Sequence, residues 1–146
     1  MKIGDKRNLL LSMATGKYVA FIDDDDMVPE YYIQRIIDVI KEEDVDVIGI
    51  NGTISIMYRQ GIKSHHKFFH TIRNQQYYES NRGFERPPNH LNPMRRDIAV
   101  QFTFPGSNLG EDTDWAMKIC RSGKLKKEHY IQEPMYFYDY NMFKID

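Results

Sequence analysis

Aspartates occupy positions 23–26 without interruption, directly after the apolar run Tyr18-Val19-Ala20-Phe21-Ile22. Adjacent carboxylates repel one another, so crowding them stabilises nothing without a counter-charge. A divalent cation is the natural partner, because hard cations take oxygen ligands and carboxylates supply them. The competing reading is a solvated acidic turn. Position favours the cation. The apolar run predicts a strand buried on both faces, and ligands of open α/β sheets bind beyond the C-terminal ends of strands. A second acidic feature, Gly110-Glu111-Asp112, precedes a helical pattern. Acids there complement the helix dipole, a structural use that competes with any catalytic one.

The elements that must position these acids are legible in outline. Residues 5–14 predict a helix with Leu9, Leu10, Met13 and Ala14 on its apolar face, ended by Gly16. Residues 17–22 predict the buried strand. Pro29 suits a first helical position, opening a helix to about Glu43 with a buried stripe of Ile33, Ile36, Ile37 and Ile40. Residues 45–50 and 53–58 read as two further strands separated by Gly52. The stretch 59–89 is basic, aromatic and rich in histidine, too long for an ordinary connection, and is expected to hold one or two short strands. Residues 90–94 and 100–104 read as strand-like or irregular, 110–122 as a helix stopped by Gly123, and 135–140 as an aromatic strand.

At 146 residues the chain is long enough for one domain with a real core. With 20 basic and 21 acidic residues, the charge balance argues against nucleic acid or an anionic membrane as the main partner. One cysteine, Cys120, excludes an internal disulfide framework and fits a reducing compartment. No apolar stretch approaches the ~20 residues needed to span a bilayer, and no signal-peptide pattern opens the chain. The expected location is cytoplasmic, with peripheral membrane contact left open.

The order of motifs resembles the central part of the family-2 glycosyltransferases. It runs Gly4-x-x-Arg7-Asn8, then Ala14-x-Gly16-Lys17 leading through the apolar run into the aspartates, then Pro29. Gly110-Glu111-Asp112-Thr113-Asp114-Trp115 with Arg121-x-Gly123 is similar to the second signature of that family, and Glu133-Pro134-Met135-Tyr136-Phe137-Tyr138 to its closing strand. The resemblance implies an α/β fold of GT-A type, a three-layer nucleotide-diphospho-sugar transferase architecture with a mixed sheet flanked by helices. One partial glycosyltransferase domain would occupy 1–146. The implied reaction is metal-dependent transfer of a sugar from a nucleotide-diphosphate donor, UDP-linked, to an acceptor hydroxyl by a single inverting displacement.

Site roles implied by the resemblance fall on particular positions. Asp25 would hold Mn²⁺ or Mg²⁺, while Asp23, Arg7 and Asn8 would lie at the nucleotide. Asp112 would be the general base and Glu111 its support. The roles of Asp24 and Asp26 stay open, and for Asp26 a cap on the following helix competes evenly with a place in the site. Among the histidines, His90 is a modest candidate near the acceptor pocket, whereas His65, His66 and His70 read as incidental. No histidine stands in register near the closing strand for a further metal ligand, leaving Asp139, Asn141 or water. Trp115 reads as a core aromatic rather than a sugar platform. The acceptor would be a glycan, a lipid-linked sugar or another hydroxyl.

Family members normally begin with a strand-helix-strand unit that holds the nucleoside base, so the chain is expected to be N-terminally truncated. The sheet edge thereby exposed would favour pairing with a second copy or with another protein. Two other classes compete: a non-catalytic fragment acting as an interaction module, and a phosphatase using Asp-x-Asp after a strand. The latter leaves the Gly-Glu-Asp helix unexplained.

Overall fold

The computed structural model describes the backbone of residues 1–141 and the side chains of residues 1–140. One long strand organises it. β2 (Val47–Met57) pairs antiparallel with β3 (Lys63–His70) along its second half, and there β8 (Tyr136–Asn141) lies parallel on its other side. Its first half is bordered by β6 (Met94–Arg95), antiparallel, and β7 (Glu128–Tyr130), parallel. Outward from β6 comes β1 (Tyr18–Val19), and outward from β3 come β5 (Gly83–Arg86) and β4 (Tyr78–Ser80).

Alternation along β2 sends its side chains to two cores. Ile48 and Ile50 pack on one side with Tyr32 and Val39 of α2 (Tyr32–Glu42). Val47 packs on the other with Leu11 of α1 (Ile3–Met13) and with Trp115 and Ile119 of α4 (Glu111–Ser122). A short helix, α3 (Arg96–Ala99), adds Ile98 and Ala99 to that second core. The result is a mixed sheet between helices, with three layers.

Several elements differ from the sequence expectation, each for a physical reason. The two strands expected at 45–50 and 53–58 are one. Gly52 is no turn: a Cβ there would lie 1.9 Å from the Tyr136 carbonyl oxygen, so glycine permits the close approach of β8. The apolar run before the aspartates is not buried on both faces. β1 covers only its first two residues and pairs only with β6, so Ile22 remains 48% exposed. In α1 the expected apolar face is outside. Leu9, Leu10 and Met13 are exposed, while Leu11 enters the core and Gly4 abuts the Pro105 carbonyl too closely for any side chain. In α2 the helix begins at Tyr32 rather than Pro29. Tyr32 and Val39 are buried, Ile36 and Ile40 half-buried, and Ile33 and Ile37 exposed. The basic stretch holds three strands rather than one or two, and β7 was not foreseen. Trp115 is core, stacked on Phe104 with ring centroids 4.5 Å apart.

Candidate active site

The chain leaves β1 in an extended path, with the Phe21 amide donating to the His90 carbonyl at 2.9 Å. It then turns, and Met27 pairs with Phe137 of β8 through two backbone hydrogen bonds. The aspartates therefore sit on a turn stapled between β1 and the closing strand. Tyr136 strengthens the staple. Its hydroxyl accepts from the Asp23 amide at 3.1 Å and donates to Asp26 Oδ2 at 2.6 Å, while the Asp139 amide donates to Asp26 Oδ1 at 3.2 Å. Asp26 is thus an anchor for β8 and not a helix cap, and α2 starts without a side-chain cap. Burial, helped by the charges of Asp23 and Asp25, pushes the Asp26 carboxyl up to about 6 despite these hydrogen bonds.

Arg7 connects the two acidic motifs. Its Nη1 donates to Asp23 Oδ1 at 3.0 Å, and its Nε approaches Glu111 Oε1 at 3.4 Å. The guanidinium also lies over the Phe21 ring, 5.5 Å from the centroid. Burial by itself would raise the Asp23 carboxyl, but the His90 ring and the Arg7 guanidinium outweigh it and hold the group at about 2. Asn8, expected at the nucleotide, is placed elsewhere. Its side-chain amide donates to the Phe104 carbonyl at 2.8 Å and accepts from the Phe104 amide at 2.7 Å, so both of its polar atoms clamp α1 to that segment.

Gly110 delivers the second motif. Its φ of 74° is left-handed, a conformation costly for other residues, and it turns the chain directly into α4. Glu111 is buried at 5% exposure beneath Arg7. Asp112, half-buried, accepts from the Thr113 amide at 2.9 Å and faces the same cleft as the aspartate turn.

That cleft has a volume of about 790 Å³. Asp23, Asp24 and Asp25 form one wall, Glu111 and Asp112 another, and Tyr138 and Asp139 of β8 contribute to a third. Two lining residues received little or no weight from sequence. Arg86, at the end of β5, lies over the rings of Phe84 and Tyr77 at 5.3 and 5.6 Å. His90 is 4% exposed, with Nε2 3.5 Å from Asp23 Oδ2. The other histidines lie away from the cleft: His65 and His66 bond Ser55 and Ser64, and His70 is fully buried against Asn92. Phe84 stands two residues before Arg86 in β5 and Tyr77 nine residues before it, a local signal, but nothing in that spacing says that the strand ends at the cleft.

Among the described residues, no three histidine, cysteine or acidic side chains converge as a ready-made ligand set. The donor chemistry nonetheless fits a hard cation. Carboxylates from one turn open onto a cleft wide enough for a diphosphate, whose oxygens complete such a coordination shell. Asp139 also opens onto the cleft, and the Asn141 side chain lies outside the described residues.

The sequence matches the family model described as Glycosyl transferase family 2 over residues 2–139. No curated protein matches it. Among the solved structures that share the fold are two of one protein. The crystal structure of S. aureus TarS 1-349 superposes with a TM-score of 0.61 at 17% identity, covering 94% of this chain and 40% of that one. The crystal structure of the same TarS segment in complex with UDP gives a TM-score of 0.61 at 18% identity, with the same coverage. The chain thus spans 40% of the length of these neighbours. Their architecture, like this one, is of GT-A type.

Proposed function

The chain belongs to glycosyl transferase family 2, and on that premise we propose that its cleft transfers a sugar from a nucleotide-diphosphate donor to an acceptor hydroxyl. One observation carries the reading: Arg7 draws Asp23 and Glu111, which come from motifs far apart in sequence, onto a single cleft. A solved neighbour in complex with UDP supports a uridine nucleotide as donor. Asp25, together with diphosphate oxygens, would hold Mn²⁺ or Mg²⁺. Such a cation, when bound, neutralises charge gathering on the departing diphosphate.

The chain's own residues supply the remaining steps. Arg7 holds Asp23 in an ionised, oriented state beside the donor. Asp112 accepts the proton of the attacking acceptor hydroxyl at a carboxylate oxygen, so that the hydroxyl oxygen displaces the nucleotide in one inverting step. Glu111, buried and bound to Arg7, keeps the first turn of α4 in place and supports Asp112. Tyr138 and Arg86 border the acceptor side. The acceptor class is a glycan, a lipid-linked sugar or another hydroxyl compound, and the domain is read as one unit over 1–146 acting in the cytoplasm. No described helix is long and apolar enough to cross a membrane.

Asp112→Asn tests the base assignment. With Mn²⁺ and a panel of UDP-sugars, UDP release to acceptor or water should fall by about 10²–10⁴-fold in the variant while UDP affinity is preserved. Equal turnover in both proteins would remove Asp112 from the chemistry. Absence of turnover in the unsubstituted chain, with UDP still bound, would favour the binding-module reading.

A further inference from the structure

Five of the arginines are half-buried, and four of those are satisfied by oxygen. Arg7, Arg35 and Arg95 each reach a carboxylate, and Arg96 donates to the Gly16 carbonyl. Arg86 differs. Its guanidinium makes no hydrogen bond and no ion pair with any described residue, and lies instead over two rings, Phe84 at 5.3 Å and Tyr77 at 5.6 Å. Partial burial strips water from a guanidinium, which costs free energy unless another oxygen replaces it. Rings over the cation leave its N–H groups unused, because these lie in the guanidinium plane and project from its edge. The matching acceptor is an oxyanion, carboxylate or phosphate, which takes paired, parallel N–H bonds.

The place of Arg86 in the cleft indicates which substrate carries that group. It lines the cleft together with Asp112. Burial raises the Tyr77 and Tyr138 hydroxyls, the Asp112 charge raises both further, and the Arg86 charge pulls both back. The proposed base and the uncommitted cation therefore flank the same tyrosines. The aspartate turn has its own cation in Arg7, which is committed to Asp23 and Glu111. Arg86 is also set in advance. Strand β5 pairs it with His70 of β3, and its carbonyl accepts from the Thr71 amide at 3.1 Å.

We propose that Arg86 is a specificity-determining residue of the acceptor site, binding an oxyanion that the acceptor carries close to the hydroxyl facing Asp112. The acceptor class thereby narrows from any hydroxyl compound to a sugar or polyol bearing a carboxylate or a phosphate. A neutral acceptor leaves the guanidinium edge unpaired and is bound less well. This inference rests on the transferase reading of the cleft, with Asp112 on its acceptor side.

The test uses the full chain in Mg²⁺, titrated first with UDP by calorimetry. At saturating UDP it is then titrated with glucose, glucuronate and glucose 6-phosphate, read by ligand-observed NMR. Arg86→Gln and Arg86→Met, the latter keeping an apolar stem over the rings, are treated alike. The unsubstituted chain should bind at least one charged sugar roughly tenfold more tightly than glucose, the size of a charge-assisted hydrogen bond. Which charged sugar gains identifies the group as carboxylate or phosphate. In either variant the preference should fall to within about twofold while UDP affinity holds. Circular dichroism certifies the fold of each variant, and if one fails to fold the other decides. Equal binding of all three sugars, no binding of any, or an unchanged preference in a folded variant would overturn the inference and leave the donor-site reading intact. Loss of UDP affinity in a folded variant would place Arg86 at the donor diphosphate and overturn it as well. Failure of UDP to bind the unsubstituted chain would overturn both.

Discussion

At the scale of single residues, charge placement dominates. Arg7 is mostly buried and faces two carboxylates, so removing its guanidinium would leave the buried Glu111 without its cation and Asp23 with the His90 ring alone. Arg7→Met should therefore destabilise the chain by about 2–3 kcal/mol in urea unfolding, more than an exposed pair would. A loss below half a kilocalorie would mean that the bridge is incidental. His70 gives a pH signature. Burial, reinforced by the Arg86 charge, keeps its ring neutral in the folded state well below the usual histidine range. The unfolded chain binds a proton near pH 6.5 that the folded chain refuses, so the His70 contribution to stability is present above that pH and lost below it. Between pH 6 and 5 the chain should lose up to about 1.4 kcal/mol per pH unit more than His70→Gln does. Parallel stability profiles for the two proteins would exclude a buried neutral His70. The sequence alone treated His70 as incidental, because burial depends on β2 and β5 flanking it, a tertiary fact with no local signature.

At the scale of elements, the closing strand does more than its sequence suggests. β8 is fastened to β2 by backbone pairing and to the aspartate turn by the Tyr136 hydroxyl and the Asp139 amide. Tyr136→Phe removes only the hydroxyl, leaving Asp26 and the Asp23 amide each short of one partner. The expected cost is about 1.5–3 kcal/mol by thermal or urea unfolding, with hydrogen exchange quickened at Asp23. Unchanged stability would show that the Tyr136 hydroxyl adds nothing to the staple. Helix α4 was legible because Gly110 and Gly123 mark both ends with left-handed φ and the acids sit in its first turn. The β2 strand was not, since Gly52 reads locally as a break and only the passage of β8 explains it. Likewise the apolar faces of α1 and α2 follow helical spacing, yet Leu10 and Ile33 remain exposed, because periodicity reports amphipathicity and not what covers it.

At the scale of the whole molecule, the motif order was the readable part, and it carried the family and the GT-A architecture before any contact was known. Which acid does what was only partly readable. Asp26 and Asn8 turned out to be braces, Arg7 a bridge between the two acidic motifs, and His90 a wall of the cleft, all through contacts spanning 80 residues or more except those of Arg7 and His90 to Asp23. Together the pieces make an acidic cleft in which Arg7 bridges Asp23 and Glu111, and which Asp25 and Asp112 also line. The account's central claim is that this cleft receives a nucleotide diphosphate with its cation. Calorimetric titration of the chain with UDP, in Mn²⁺ and again in chelator, tests it most directly. Saturable binding that requires Mn²⁺, is lost in Asp25→Ala and persists in Asp112→Asn is the predicted result. No binding in Mn²⁺, or binding indifferent to Asp25→Ala, would contradict it.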